Sequence, residues 1–285
     1  MHRLTVFSPA KLNLVLDVLG KRPDGFHELS TIFERISLSD QITLSRNKSK
    51  KIIIRCSHPD VPLSSSNLVY KAAMMLSSDF SISEGIDIDI IKNIPVAAGL
   101  AGGSSNAAAV LLGLNRLWQL GLGSQELAGY ASRIGSDVAF FLYDTSYALG
   151  TGRGEIIRPL DIKTKLWHVL VTPRVKLLSK DVFTRLKLNL TNKRDNANIL
   201  LPFLKKGDLI RLAGALSNDL EPAILSLRPD FIYLKEKLLD AGATGVCFSG
   251  SGPSVFALVT SQKHALSVRA QFDRRYSQSF VVSTL

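Results

Sequence analysis

Cysteine is almost missing from this chain: of 285 residues only Cys56 and Cys247 are cysteines, far apart and each inside an apolar stretch. No Cys-x-x-Cys spacing exists, so a zinc ribbon or a dithiol redox pair is excluded. Two buried small hydrophobes in a reducing compartment are expected instead. Histidine is sparse too, and its five positions (2, 27, 58, 168 and 264) show neither metal-ligand spacing nor a His-Glu-x-x-His pattern; no protein metal site is expected. A Gly-x-Ser-x-Gly elbow is absent, which removes the serine hydrolases. No apolar run approaches the roughly 18 residues of a membrane-spanning helix. Lys11 and Asp17 interrupt the first apolar stretch, so no signal-peptide core is expected and the chain reads as soluble and cytoplasmic. Acid is in deficit, with 24 Asp and Glu against 35 Lys and Arg, a net charge of +11. That surplus admits a polyanionic partner: nucleic acid, an acidic membrane surface or a phosphorylated small molecule. The densest basic run (Arg46, Lys48, Lys50, Lys51) is short and carries no interleaved aromatics, so no nucleic-acid or membrane partner is expected.

What is present is ordinary globular material. Hydrophobic residues make up 46% and charged residues 21%, which rules out wholesale disorder, and the length favours two domains. Period-two alternation predicts strands through Leu4 and Val6, Leu12 to Val18, Ile32 to Leu38, Ile52 to Ile54 and Ile86 to Ile90. The turn signal Arg22-Pro23-Asp24-Gly25 separates the second run from the third. Asn67 is placed to N-cap a helix through Leu68, Ala72, Met75 and Leu76, and Ala107 to Trp118 and Ser124 to Arg133 read as further helices. A composition shift at Gly150-Thr151-Gly152-Arg153-Gly154 precedes a strand over 166–171. Helices are predicted over 180–186, 209–216 and 231–239, and a closing unit has strands over 245–248, 255–259 and 280–282 with a helix over 264–272. Mixed sheets with interspersed helices follow, in domains of 1–157 and 158–285.

The segment Pro95-Val96-Ala97-Ala98-Gly99-Leu100-Ala101-Gly102-Gly103-Ser104-Ser105 feeds directly into strong helix-forming sequence. Small residues let a ligand approach the backbone, and the free N–H groups and dipole of the helix favour an anion. The two serines add hydroxyl donors, or oxygens for a phosphate-bound magnesium ion. The Walker pattern is absent because no Lys follows Gly103, and the dinucleotide Gly-x-Gly-x-x-Gly pattern is absent as well. A tight turn with close helix packing accounts for the same residues without a ligand. Lys11 and Asn13 share one face of an otherwise apolar strand. They answer something anionic, or that face is solvated. Asp137, entering Val138-Ala139-Phe140-Phe141, is an N-cap or a placed catalytic group. His27 follows a turn, where a surface histidine is the ordinary outcome, and Gly250-Ser251-Gly252-Pro253 is a hairpin turn or a second anion-facing loop.

Taken in order, Ser8-Pro9-Ala10-Lys11-Leu12-Asn13-Leu14, Gly20-Lys21-Arg22-Pro23-Asp24-Gly25-Phe26-His27, the 95–105 segment, Asp137 and Phe248 to Ser254 together resemble the GHMP kinases, a superfamily named for galactokinase, homoserine, mevalonate and phosphomevalonate kinases. The resemblance covers essentially the whole chain. The first two segments single out the branch acting on a cytidine-diphosphate-linked methylerythritol. The resemblance implies an α+β fold of two domains, the first like ribosomal protein S5 and the second ferredoxin-like. It implies ATP, with magnesium carried on its phosphates, in the 95–105 loop and Asn67 near the adenosine. Lys11 and Asp137 are implied as the catalytic pair. Asn13, Phe26, His27, Ser179 and Phe183 are implied at the cytidine end of the substrate, and Gly250, Ser251 and Gly252 as the third motif. A small-molecule kinase that is a monomer or weak homodimer is expected. Ala97 and Ala101 stand where glycine is usual in this family, Asn106 where Asp is common, Ala139 where proline is frequent and Ser179 where threonine is usual. Alanine disfavours positive φ, so these two substitutions bear directly on how the loop folds.

Overall fold

The computed structural model describes residues 2–187, 195–272 and 278–285. In chain order its elements are β1 (Arg3–Lys21), β2 (His27–Asn47), β3 (Ile52–Cys56), α1 (Leu68–Asp79), β4 (Gly85–Ile91), α2 (Gly102–Trp118) and α3 (Ser124–Ile134). A 3-10 turn, Ser136–Leu142, follows. Then come β5 (Tyr147–Gly152), β6 (Ile156–Leu160), β7 (Trp167–Val171), α4 (Ser179–Arg185), α5 (Asn196–Lys206), α6 (Leu209–Ala215) and β8 (Ser217–Asn218). The chain closes with α7 (Glu221–Leu227), α8 (Phe231–Asp240), β9 (Gly245–Phe248), β10 (Val255–Val259), α9 (Gln262–Ala270) and β11 (Ser279–Ser283). Among the described residues, no helix is long and apolar enough to cross a membrane.

Two compact units interleave along the sequence. The first comprises Met1–Ala10, Leu38–Val96 and Ala101–Asp144, the second Lys11–Ser37, Ala97–Leu100 and Thr145–Leu285. The long strands β1 and β2 each contribute to both, and so does the 95–105 segment. Both units are discontinuous in sequence, whereas the division at 157/158 is a single cut.

In the first unit, β3 runs parallel to β4, and β4 is antiparallel to Gln41–Asn47 of β2. Buried Ile86, Ile88 and Ile90 alternate along β4, the period expected of a strand with one packed face. Helix α1 starts where the sequence predicts: Asn67 caps it by accepting from Val69 N at 2.9 Å. Helix α2 packs on α1 and buries Ala107, Ala108, Val110, Leu111, Leu114 and Leu117. Gly113 lets it lie close to β2, since a Cβ there would stand 2.5 Å from Leu44 Cδ1.

In the second unit, Leu29–Glu34 of β2 pairs with β5, β5 with β6, and β8 runs parallel to Val15 and Leu16 of β1. A four-stranded antiparallel sheet has the order β11-β7-β10-β9. Val169, Val171, Val255, Ala257 and Phe248 of this sheet pack in one core with Val268 of α9 and Leu234 and Leu238 of α8. Cys247 lies in β9 and is buried, which pushes its thiol pKa up to about 12. Cys56 is only half-buried, contrary to the expectation, because β3 pairs with a single neighbour, β4.

Candidate active site

Strand alternation alone puts Lys11 and Asn13 on one face of β1, and both are buried, at 4% and 2% exposure. The solvated-face alternative is therefore removed. The Lys11 ammonium donates to Asn13 Oδ1, and the Asn13 amide donates to Thr31 Oγ1 at 2.8 Å. Thr31 in turn gives its proton to Val15 O at 2.6 Å. A hydroxyl that has spent its proton can only accept, so Thr31 fixes which end of the Asn13 amide faces Lys11. The ammonium also lies 5.4 Å from the Phe33 ring centroid, a cation–π distance.

Two turns meet beside this lysine. Lys11 N donates to Leu100 O at 3.2 Å, and Ser249 Oγ donates to Gly99 O at 3.0 Å. A Cβ on Gly250 would stand 3.3 Å from Lys11 Nζ, 3.4 Å from Asn13 Oδ1 and 3.2 Å from Gly99 O. The 249–252 turn is pinned by Asn218, whose amide donates to Phe248 O (3.0 Å) and Gly250 O (2.8 Å) while its oxygen accepts from Leu220 N. Sequence reasoning missed Asn218. Its available signal was a polar residue in Ser217-Asn218-Asp219, which reads equally as a helix cap. Ser251 Oγ lies 2.8 Å from Ser179 Oγ, so the structure joins the third motif to the start of α4. The imidazole of His27 stacks on Phe183, with ring centroids 5.0 Å apart and planes at 25°. Burial and the neighbouring Lys21 hold the His27 pKa below its ordinary value, which favours the neutral ring. Phe26 is 53% exposed and carries the Arg153 guanidinium 4.9 Å from its centroid. Thus Lys11, Asn13, Gly99, Gly250, Ser251 and Ser179 form one connected set in the second unit, and His27 and Phe183 form a stacked pair there.

The rest of the glycine-rich segment belongs to the first unit. Gly102 to Ser105 already form the opening turn of α2, one turn earlier than the helix-forming alanines suggest. The N-cap residue, Ala101, has a left-handed backbone (φ 52, ψ 30) and supplies no side-chain cap. The N-cap side chain therefore offers the first-turn N–H groups no oxygen, which favours their use by an external anion. Gly103 is exposed, with open space where its Cβ would be. Ser105 is buried and accepts from Ser8 Oγ at 2.8 Å. Asp137 sits in the first turn of the 3-10 segment, whose N-cap is Gly135, so Asp137 is not an N-cap. Asn67 is buried at the head of α1 and donates to Pro62 O at 2.6 Å.

This geometry matches known proteins along nearly its whole length. Residues 67–145 match the family model for the GHMP kinases N terminal domain, and residues 200–278 match that for GHMP kinases C terminal. The 4-diphosphocytidyl-2-C-methyl-D-erythritol kinase of Shouchella clausii (strain KSM-K16) is 43% identical over 260 residues, covering 91% of this chain and 87% of the relative. The enzyme of the same name from Geobacillus thermodenitrificans (strain NG80-2) is 44% identical over 258 residues, covering 90% and 88%. Among solved structures, a 4-(cytidine 5'-diphospho)-2C-methyl-D-erythritol kinase aligns with a TM-score of 0.84 at 28% identity over 98% of both chains. The mevalonate kinase of L. major, solved with R-mevalonate, shares the fold at a TM-score of 0.77 and 16% identity. The chain is an ATP-dependent small-molecule kinase of the α+β GHMP kinase fold, and it belongs to the 4-diphosphocytidyl-2-C-methyl-D-erythritol kinase family.

Proposed function

We propose that this enzyme transfers the γ-phosphoryl group of ATP to the 2-hydroxyl of 4-diphosphocytidyl-2-C-methyl-D-erythritol, a step of non-mevalonate isoprenoid precursor synthesis. The observation that carries the assignment of the nucleotide end is the uncapped, glycine-opened start of α2. Its N–H groups, with the Ser104 and Ser105 hydroxyls, receive the ATP phosphates, and Asn67 lies toward the adenosine. Magnesium enters with the nucleotide, as part of the substrate. Residues 1–157 act as the ATP-binding and catalytic domain and residues 158–285 as the C-terminal domain.

Phosphoryl transfer passes through a loose transition state and demands chiefly in-line positioning and charge neutralisation. Asp137 orients the acceptor hydroxyl and takes its proton as the oxygen–phosphorus bond forms and the bond to the β-phosphate oxygen breaks, releasing ADP. Lys11, held by Asn13 and roofed by Gly250, stabilises charge on the transferring group. His27, Phe26 and Phe183 stack with the cytosine, and Asn13 and Ser179 supply polar contacts at that end.

Gly103→Asp tests the loop with little steric cost, because nothing stands within 4 Å of the new Cβ. A carboxylate there repels phosphate. The expected result is an unchanged melting temperature with at least about a hundredfold loss in kcat/KM for ATP. Lys11→Ala and Asp137→Asn are expected to lower kcat by about a thousandfold or more in folded protein. ADP release measured across acceptors, with cytidine diphosphate as competitor, separates this substrate from homoserine or mevalonate. Wild-type turnover in Gly103→Asp defeats the loop assignment.

A further inference from the structure

Asp40 in β2 is fully buried and accepts four hydrogen bonds. Its Oδ1 takes Asn93 N (2.7 Å) and Ile94 N (2.8 Å); its Oδ2 takes Lys92 Nζ (2.5 Å) and Asn106 Nδ2 (2.8 Å). Lys92, Asn93 and Ile94 lead into Pro95, whereas Asn106 lies on the second turn of α2, just past Ser105. One carboxylate therefore holds both ends of the 95–105 segment. The same amide of Asn106 donates to Ser8 Oγ at 2.8 Å, and Ser8 donates to Ser105 Oγ at 2.8 Å.

The direction of this chain follows from its origin. An ionised carboxylate only accepts, so the Asn106 amide must donate to it. With its other proton the same nitrogen donates to Ser8, which then passes its own proton to Ser105. Ser105 receives, and its hydroxyl proton is left to be given elsewhere. Charge is balanced at the source: the Lys92 side chain is 4% exposed and pairs with a fully buried Asp40. A Cβ on Gly102 would stand 2.8 Å from Lys92 Nζ, so this pair abuts the first residue of α2.

We propose that Asp40 is a positioning residue of the nucleotide loop: it clamps the segments entering and leaving the loop and, through Asn106 and Ser8, sets Ser105 as a hydrogen-bond donor toward the ATP phosphates. The inference rests on the loop binding nucleotide, as assigned above.

Asp40→Asn keeps the size and lets Oδ1 accept from both backbone N–H groups, but turns an amide donor toward Lys92 and Asn106. Its kcat/KM for ATP is expected to fall about tenfold or more, with KM for the cytidylyl acceptor within about twofold of wild type. A merely structural role would lower the active fraction, hence kcat for both substrates, without separating the two KM values. Ser8→Ala, which removes one hydroxyl and keeps the clamp, is expected to cost about three- to tenfold in kcat/KM for ATP alone. It decides the matter if Asp40→Asn fails to fold. Wild-type kcat/KM for ATP in folded Asp40→Asn or in Ser8→Ala overturns the proposal. If Gly103→Asp also keeps its ATP kinetics, the loop assignment itself has failed; if only Gly103→Asp loses them, the inference about Asp40 alone has failed.

Discussion

The two small-residue turns beside Lys11 solve the same backbone problem with different residues. In the first, Ala97 (φ 53), Gly99 (φ 74) and Ala101 (φ 52) are left-handed; in the second, Gly250 (φ 54) and Gly252 (φ 69) are. A positive φ costs a side-chain-bearing residue about 1–2 kcal/mol, and the chain pays that twice in the first turn and not at all in the second. Space explains part of the difference. A Cβ on Gly99 would collide with backbone, 2.1 Å from Ser249 O and 3.0 Å from Gly252 O, whereas one on Gly250 would meet its nearest neighbour at 3.2 Å. Left-handed backbone alone therefore does not demand glycine here; another turn's backbone at contact distance does.

The sharpest way to break this comparison is Gly99→Ala. Strain at φ and overpacking against carbonyls that cannot swing aside add to a loss of about 3–5 kcal/mol. Chemical denaturation reads it directly, and a variant as stable as wild type would mean the two turns part freely. Gly250→Ala follows. Its new methyl group meets Gly99 O at 3.2 Å, tight but short of collision, together with a lysine tip and an amide that can yield by tenths of an ångström, so stability falls by about 1–2 kcal/mol. Displacing the Lys11 ammonium is expected to reduce kcat by about tenfold, more than it changes either KM. An unchanged kcat would show that this turn does not hold the lysine in place.

These turns also mark where the sequence stops being readable. Alternation identifies β1, β2 and β4, and capping chemistry places the start of α1, because these depend on near neighbours. Helix α2 starts at Gly102, ahead of the helix-forming alanines, because Gly102 and Gly103 have poor helix propensity and give no sequence signal of a helix. The composition shift at Gly150–Gly154 reads as a boundary, but Gly150 to Gly152 end strand β5, where the Phe33 ring fills the space over Gly150: a Cβ there would stand 2.5 Å from Phe33 Cε2. Helix α5 contains Pro202, and α7 is seven residues long with proline in its first turn, so in both a residue that ordinarily breaks helices masks the element. At the site, the family motifs name Lys11, Asn13 and the loop. Asp40 carries no local signal and Asn218 only one that reads equally as a helix cap, because each acts on backbone distant in sequence, 54 residues away for Asp40 and Ile94 and 32 for Asn218 and Gly250.

The smallest effect tests the strain itself. Ala101→Gly removes the left-handed penalty of about 1–2 kcal/mol but gives the unfolded chain glycine's freedom, worth about 0.5–1 kcal/mol. Ala101 is also the N-cap of α2, a position where glycine outranks alanine. The net expectation is a gain of about 0.5–1 kcal/mol, measured as a higher denaturant midpoint with an unchanged slope. Ala97 is exposed and caps no helix, so Ala97→Gly lacks the capping contribution and should gain less than Ala101→Gly. A loss in both variants would mean that the two methyl groups make contacts worth more than the strain they cause, and that the first turn is alanine-adapted rather than strained.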